Sequence, residues 1–316
     1  MSVFTAVTEE QLRAFLTRYA VGSLTTFRGI EAGVENTNYF VDTDQGSYVL
    51  TLFEVLPIGE VDQYLELTLQ LARQNVPCAS PIAMRDKSLV SMLNDRPAAL
   101  VTRLRGNTRE VVEADHCAEV GRALARMHLV LGDYHGPSKI ERGRKWQRRV
   151  IADLGADLEA AEMARLEEFL DGPDIYTDLS LPGGVIHSDL FRDNALFDDD
   201  GLSGLIDFYS AHRGPLIYDL AVTVLDWSHD ENNRFRHDLG EGVYRGYAEV
   251  RAPTTDEHQA WHLALKSAAA RFLVSRLFDR RFPRQGSMIM TKNPDRFRRI
   301  FDHLHEPENA LLNLLA

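Results

Sequence analysis

The stretch that most constrains this chain spans residues 187–194 and reads His-Ser-Asp-Leu-Phe-Arg-Asp-Asn. Short apolar runs lie on both sides of it, at residues 185–186 and 195–197. An acidic turn at residues 198–201 then reverses the chain before a third apolar run at residues 202–206. An Asp-Gly pair between two apolar runs is typical of a β-hairpin. We therefore expect a strand, a polar loop and a hairpin in immediate succession.

This arrangement predicts a cluster of oxygen donors. The hairpin carries Asn194 at its start and Asp207 at its end, so these two side chains are expected to lie close together, and Asp189 precedes Asn194 by five residues. Carboxylate and amide oxygens are hard ligands, and with room for water and phosphate they suit Mg²⁺. The alternative is an acidic surface loop that matches by chance.

The pattern His-x-Asp-x-x-x-x-Asn, with Asp-Phe thirteen residues after the asparagine, resembles the catalytic core of kinase-like phosphotransferases. The His-Ser-Asp version is similar to the aminoglycoside phosphotransferase and choline kinase branch, which phosphorylates small hydroxyl compounds. This resemblance implies an α+β, protein-kinase-like two-lobe fold, with an antiparallel-sheet N-lobe and a mainly helical C-lobe. It also implies ATP and Mg²⁺ as cofactors.

The same resemblance assigns roles to residues of the motif. Asp189 would accept or orient the proton of the substrate hydroxyl, while Asn194 and Asp207 would hold Mg²⁺ against the nucleotide phosphates. His187 and Asp219 would be structural and would support the catalytic loop.

The length and net charge of the chain limit the kinds of partner that it can bind. A chain of 316 residues is long enough for two lobes with a sizeable core. A net charge of −12 argues against a nucleic-acid partner and against anionic membranes. The two cysteines form no CxxC motif, and no run approaches the ~20 apolar residues of a membrane span. Because nothing near Met1 is typical of a signal peptide, we expect a cytoplasmic protein that acts on a small molecule. The oligomeric state stays open.

The first third of the chain predicts the sheet. After a capped helix that begins near Thr8, runs at residues 27–33, 38–42, 47–53, 89–93 and 98–104 predict five antiparallel strands. A further helix is predicted between the third and fourth strands, at residues 60–74. We therefore expect an N-lobe at residues 1–104. The C-lobe, at residues 105–316, would carry the catalytic loop, the metal site and the substrate pocket.

Two segments of this lobe are the predicted nucleotide contacts. In kinase-like folds the loop between the first two strands lies over the phosphates; here it offers Gly33, with Asn36 and Asn38 as amide donors. The alternative is a hairpin turn with asparagines in the left-handed conformation. The backbone from Val101 to Leu104 matches the hinge that meets the adenine. An ordinary interdomain linker would lie at the same place.

One position departs from the kinase-like pattern. The third strand should carry the lysine or arginine that grips the α- and β-phosphates, and Thr51 occupies that position. No Lys–Glu ion pair is therefore predicted with Glu60 or Glu66. Phosphate binding then relies on Mg²⁺ and loop donors, or on another cation. The segment after Asp207 is also too short for the activation loop of a protein kinase, which favours a small-molecule kinase.

The remainder of the chain predicts helices at residues 115–131, 154–170, 261–282 and 295–315. His128, on the apolar face of the first of these, is predicted to be a core histidine rather than a ligand. A basic cluster at residues 139–149 is predicted to be a solvated helix face. A substrate or nucleotide contact is the alternative for that cluster.

Further stretches are similar to the kinase-like homoserine kinases, and with them the resemblance spans residues from about 3 to 304. They are residues 32–40, 48–54, 206–209 and 291–294. The resemblance implies transfer of the ATP γ-phosphoryl group to the hydroxyl of L-homoserine, giving O-phospho-L-homoserine in threonine biosynthesis. Thr51 is then a feature of this subfamily. The galactokinase-type homoserine kinases need a glycine- and serine-rich phosphate loop, which this sequence lacks.

A zwitterionic substrate needs an arginine for its carboxylate and a carboxylate or an aromatic face for its ammonium. The candidates are Arg213, Arg276 and Arg280 for the carboxylate, and Tyr209, Asp226 and Trp227 for the ammonium. One alternative is another small-molecule kinase, of the choline, hydroxylysine, methylthioribose or aminoglycoside type. A choline-type site would be an aromatic cage without an arginine. The other alternative, a non-catalytic nucleotide-binding protein, is disfavoured by the intact Asp189, Asn194 and Asp207.

Overall fold

The computed structural model of the chain describes residues 4–30, 36–178, 180–230, 234–282, 292–304 and 310–315. These residues divide into two compact units. The first contains the residues up to Gly106 together with Ser203–Tyr209, and the second contains Asn107–Leu202 and the described residues from Ser210 onward. The domain boundary predicted at residue 104 stays a prediction; the structure adds that residues 203–209 group with the first unit.

A five-stranded antiparallel sheet with the order β1-β2-β3-β5-β4 forms the first unit, as predicted. Its strands are β1 Leu24–Gly29, β2 Thr37–Thr43, β3 Gly46–Leu52, β4 Ser91–Leu93 and β5 Arg96–Thr102. Strand β1 differs most from the prediction, because it begins at Leu24 rather than Phe27. The early start arises because Leu24 and Thr26 pair with β2 on either side of a bulge.

Two helices, α1 Glu9–Leu16 and α2 Ile58–Arg73, belong to the same unit. The predicted capping box of α1 is present. The Thr8 hydroxyl accepts the Gln11 backbone N–H, and the Gln11 side chain accepts the Thr8 N–H. Buried side chains of α1 share one core with the sheet, whereas those of α2 join a second cluster around Phe53.

Close packing holds residues 203–209 in the first unit. The backbone N–H of Leu205 donates to the carbonyl of Pro77 at 2.9 Å. A Cβ added at Gly204 would lie 2.9 Å from Leu104 Cδ1 and 3.2 Å from the backbone nitrogen of Cys78. Because this space admits no side chain, glycine is required at this point on the path toward Asp207.

The second unit is mainly helical, also as predicted. Its helices are α3 Ala114–Val130, α4 Arg144–Leu154, α5 Ala160–Asp171, α6 Leu216–Trp227, α7 His237–Val250, α8 Thr255–Arg281 and α9 Asp295–His303. Strands β6 Gly183–Ile186 and β9 His212–Pro215 pair antiparallel. Strands β7 Ala195–Asp198 and β8 Gly201–Leu205 form the predicted hairpin. Among the described residues, no helix is both long and apolar enough to cross a membrane.

Three helices of this unit differ from the sequence patterns, one of them being α9, which ends at His303 although the pattern predicts a helix to residue 315. The helix predicted at residues 154–170 is divided, because Gly155 has a φ of +45° and α4 ends at Leu154. Helix α7 was not predicted at all, since glycines such as Gly246 lower helix propensity. Those glycines have a packing role instead. A Cβ added at Gly246 would lie 2.0 Å from the Ala118 carbonyl oxygen on α3.

Candidate functional site

The loop that carries the predicted proton acceptor Asp189 turns sharply between β6 and β7. Ser188 adopts a φ of +63°, which is unusual for a residue with a side chain. The turn is fixed by Asp219 of α6, because its Oδ2 accepts the N–H of His187 and its Oδ1 accepts the N–H of Ser188, both at 2.7 Å. One carboxylate therefore holds two consecutive backbone amides ahead of Asp189.

Asp219 is itself the start of a buried polar chain. It is fully buried, and His128 Nε2 lies 3.0 Å from its Oδ2, while His128 Nδ1 lies 2.8 Å from the Tyr247 hydroxyl. Arg251 then donates to Tyr247 and to Glu257, which caps α8. Burial alone would raise the pKa of Asp219, but the hydrogen bonds and charge of His128 and the His187 amide hold the pKa below its usual value.

Asp189 and Asn194 lie together on this loop. The Asn194 side-chain nitrogen donates to the Asp189 backbone carbonyl at 2.8 Å, and Asn194 is 8% exposed. This hydrogen bond leaves the Asn194 amide oxygen as the atom available to a metal. Burial raises the pKa of the Asp189 carboxyl, and the positive charge of Arg271 partly offsets that rise.

Arg271, on α8, contacts the Asp189 side chain. Its Nη1 lies 3.3 Å from Asp189 Oδ1, and Arg271 as a whole is 9% exposed. No local motif or spacing in the sequence indicates this residue, although one signal is present. Arg271 interrupts an apolar run, with Ala268 to Ala270 before it and Phe272 to Val274 after it, all of them buried. A lone charge in a buried run is rarely without a partner or a function.

Neutral groups lie near this arginine. Tyr176 and Tyr218 hydrogen-bond to each other, and the Tyr176 hydroxyl lies 3.0 Å from His212 Nε2. His212 Nδ1 lies 2.9 Å from the Ser210 carbonyl, so that nitrogen carries the proton and Nε2 accepts from Tyr176. Burial lowers the pKa of His212 and raises that of both tyrosines, so all three side chains are neutral at pH 7.

Trp227 and Asp226, two of the candidates for the substrate ammonium, both hydrogen-bond to the loop that carries Asp189. Trp227 is 1% exposed and its ring N–H donates to the Leu190 carbonyl at 3.0 Å. Asp226 Oδ2 accepts the Arg192 backbone N–H at 2.9 Å, and Oδ1 accepts from Arg296 at 3.0 Å. Because the Trp227 ring is buried and its N–H is occupied, its observed contacts are with the loop, and its role at the substrate ammonium stays a prediction.

The three predicted arginines lie elsewhere in the second unit. Arg213 is exposed and donates to the Tyr134 carbonyl at 3.1 Å, and Arg280 is exposed in the last turn of α8. Arg276 is partly buried, with its guanidinium 4.3 Å from the centre of the Phe297 ring. Burial lowers the pKa of Arg276 to about 10, with a smaller contribution from the charge of Arg296. Among the described residues, Arg271 rather than these three makes the contact with Asp189.

The first unit holds the predicted nucleotide contacts. The Asn38 side-chain oxygen accepts the Thr51 hydroxyl at 2.7 Å, and the Asn36 side-chain oxygen accepts the Glu54 N–H at 3.4 Å. Thr51 also hydrogen-bonds with Tyr209, whose ring meets Phe53 edge to face with the centres 5.1 Å apart. Thr51 at the expected lysine position is thus part of a neutral network. The predicted Gly33 lies outside the described residues.

Val101 and Leu104 lie at the far end of β5 and just beyond it. Val101 packs on the cluster around Phe53 and Val61. Asp207, also in the first unit, is exposed and adopts a φ of +62° at the turn after β8. The roles of these residues in binding adenine and metal stay predictions.

Comparison with known proteins places the chain in a family. A family model described as the phosphotransferase enzyme family matches residues 26–253. Homoserine kinase of Methylobacillus flagellatus is 39% identical, and the alignment covers 96% of this chain and 95% of that protein. Homoserine kinase of Neisseria meningitidis serogroup B is 38% identical, with 95% of this chain and 98% of that protein covered.

Solved structures share the fold at much lower identity. Amicoumacin kinase, solved with AMP-PNP and Ca²⁺, superposes with a TM-score of 0.70 at 12% identity, covering 96% of this chain and 95% of that one. An aminoglycoside phosphotransferase from Alicyclobacillus acidocaldarius gives a TM-score of 0.64 at 15% identity, with 98% and 95% covered. The kinase-like fold predicted from the motif is therefore confirmed. The chain belongs to the phosphotransferase enzyme family and, within it, to the homoserine kinases.

Proposed function

We propose that this chain transfers the γ-phosphoryl group of ATP to the side-chain hydroxyl of L-homoserine, giving O-phospho-L-homoserine for threonine biosynthesis. The near full-length similarity to homoserine kinases supports the substrate. The observation that carries the mechanism is the ordered catalytic loop, in which Asp219 fixes two amides immediately before Asp189.

Asp189 is the proposed acceptor of the hydroxyl proton. A primary alcohol is far less acidic than a carboxylic acid, so Asp189 is a weak base toward it. Because the transition state of phosphoryl transfer is loose, the carboxylate needs mainly to orient the hydroxyl and take its proton late. A loop held by buried hydrogen bonds provides that orientation without rearranging during the reaction.

The proposed metal ligands are Asn194 and Asp207, which fit Mg²⁺ by the chemistry of their donor atoms. The Asn194 side-chain nitrogen donates to the Asp189 backbone carbonyl, so the side-chain oxygen is the atom that can bind the metal. Asp207 offers an exposed carboxylate at the end of the hairpin that Asn194 begins. When bound, Mg²⁺ would neutralise charge on the nucleotide phosphates.

The proposed nucleotide contacts are Gly33, Asn36 and Asn38 for the phosphates, with Val101 and Leu104 for the adenine. The neutral network of Asn38, Thr51 and Tyr209 supports this assignment, because it orders polar atoms on β2 and β3 without a lysine. Phosphate charge would then be met chiefly by the metal rather than by a cation on β3.

A cytoplasmic location is also proposed. Cys78 and Cys117 are both buried free thiols, as expected for a protein of a reducing compartment. A net charge of −12 disfavours nucleic acid and anionic membranes as partners.

The test is phosphoryl transfer to a panel of alcohols. ADP release and phosphate-ester formation should be measured with L-homoserine, L-serine and choline at equal concentration. We expect L-homoserine to be preferred over serine by ~10²-fold in kcat/KM, because serine places its hydroxyl one methylene short. Preference for choline would replace this proposal with a choline-kinase-like function.

A further inference from the structure

Arg271 occupies an unusual position for an arginine. It lies near the middle of α8 and is 9% exposed, and its guanidinium lies 3.9 Å from the centre of the neighbouring Phe272 ring. The side chain is thus held in one orientation by stacking, with Nη1 directed to Asp189. A buried cation fixed beside the proposed proton acceptor invites a functional explanation.

The hydrogen bonds of Arg271 are incomplete. A guanidinium has five N–H donors, and within the described part of the chain only the bond to Asp189 uses one. That bond, at 3.3 Å, is longer than the ~2.7–2.9 Å of a strong charge-assisted pair. Because these unused donors lie beside Asp189 on a largely buried side chain, the arrangement points to an anionic ligand that completes them.

Nearby protein groups do not supply that anion. Tyr176, Tyr218 and His212 are neutral and hydrogen-bond among themselves. The nearby carboxylate of Asp219 is already occupied by two backbone amides and His128. Apart from Asp189, none of these groups therefore offers the Arg271 guanidinium an uncommitted carboxylate.

We propose that Arg271 binds the carboxylate of the substrate and so selects a hydroxy amino acid over an amino alcohol without a carboxylate. This inference rests on the proposed function, since it assigns one group of that substrate to one residue. A planar guanidinium can accept a carboxylate through two parallel hydrogen bonds, which a lysine cannot do.

The test compares two substrates that differ only in the carboxylate. L-homoserine and its decarboxylated analogue, 3-aminopropan-1-ol, should be assayed with the wild type and with Arg271→Gln. We expect kcat/KM for L-homoserine to fall ~10²- to 10³-fold, as for a truncated buried charge pair. The kcat/KM for 3-aminopropan-1-ol should fall much less, because only the effect of the lost charge on Asp189 remains for that substrate, so the preference between the two substrates collapses.

Comparing the two substrates distinguishes two roles for Arg271: binding the substrate carboxylate and positioning Asp189. Neutralising Arg271 also removes a charge beside Asp189, and that effect is shared by both substrates. Equal losses for both substrates would overturn the inference and make Arg271 a positioning residue for Asp189. Arg271→Lys should recover only part of the preference, because it keeps the charge without the paired geometry.

Two controls complete the design. Arg281→Gln removes an exposed arginine from the same helix, where its ion pair with Asp157 is solvent-screened, and should leave both substrates unaffected. Thermal unfolding of each variant reports whether α8 still folds, and Arg271→Lys carries the test if Arg271→Gln does not. A wild type that fails to phosphorylate L-homoserine refutes the proposed function itself. An active wild type with equal losses refutes only the role of Arg271.

Discussion

The two candidate regions of this molecule hold their polar groups by different means. Around the catalytic loop, Asp219 and Asp226 are buried carboxylates that accept backbone amides and pair with His128 and Arg296. In the first unit, Asn38, Thr51 and Tyr209 are joined by neutral hydrogen bonds. Hydrogen bonds to charged groups are about twice as strong as neutral ones. The loop that carries Asp189 is therefore held by stronger hydrogen bonds than the proposed nucleotide contacts on β2 and β3.

The reaction explains why the two regions differ in the strength of their hydrogen bonds. Orientation of a hydroxyl toward phosphorus tolerates little error, since a displacement of about 1 Å can cost ~10²-fold in rate. A nucleotide with its metal brings its own charge and many contacts, so weaker protein groups suffice. Substitutions in the two regions should therefore change different quantities, and by different amounts.

The largest effect is expected from Asp189→Asn, which keeps the shape of the side chain but removes the proton acceptor. We expect kcat to fall by ~10²- to 10⁴-fold, with little change in ATP affinity. Steady-state kinetics and nucleotide titration measure the two quantities. Asp200→Asn, at an exposed turn, is the matched control. Turnover like that of the wild type in Asp189→Asn would refute the proposed mechanism.

Asp219→Asn should destabilise the loop that carries Asp189 and so lower the free energy of unfolding. The new amide nitrogen would face one of the two backbone N–H groups that the carboxylate accepts, so one donor loses its acceptor. We expect a loss of ~3–5 kcal/mol in the free energy of unfolding, measured in urea at pH 7. Asp115→Asn, at an exposed carboxylate, should change it little.

The same variant has a pH signature. The folded pKa of Asp219 lies below the unfolded value of about 3.9. Its stabilisation is therefore complete above that value and is lost as the pH falls through the folded pKa. The difference in stability between wild type and Asp219→Asn should shrink as the pH is lowered from 5 toward ~3. A difference that stays constant over this range would contradict the role of the charge.

Asp207→Ala tests the metal assignment on the nucleotide side. Removing the charged ligand should weaken MgATP binding on the order of 10²-fold or more, whereas Asn194→Ala, which removes a neutral ligand, should be milder. Titration of the protein with MgATP measures both. Asp95→Ala is a close control, because Asp95 is also exposed and has a φ of +60°. Unchanged binding in Asp207→Ala would show that the metal is held elsewhere.

The smallest effect is expected from Thr51→Val, which removes one hydroxyl from the neutral network. Loss of the hydrogen bonds to Asn38 and Tyr209 should raise KM for ATP by less than about tenfold, equivalent to ~1 kcal/mol, and leave KM for homoserine unchanged. Thr26→Val, on the exposed edge strand, is the control. A change in KM for homoserine rather than in KM for ATP would contradict the assignment of Thr51 to the nucleotide contacts.

The structural elements that the sequence predicted well are those that lie next to each other along the chain. Strand, loop and hairpin lie within one stretch of chain, so the spacing of Asp189, Asn194 and Asp207 sufficed to indicate the chemistry. Arg271 lies far along the chain and reaches Asp189 only through the packing of α8, which no local spacing encodes. The burial of Trp227 is likewise not encoded by local spacing, because it depends on the residues that surround the ring after folding.

The polar chain from Asp219 to Glu257 and the left-handed turn at Ser188 also bear on the order of folding. A φ of +63° at a serine is costly on its own, and the hydrogen bonds that offset it come from α6, more than thirty residues later in the chain. The catalytic turn therefore gains its shape only after α6 has docked. Amide exchange at His187 and Ser188 should slow together with that of the core of the second unit, so the turn nearest the chemistry forms only when that core forms.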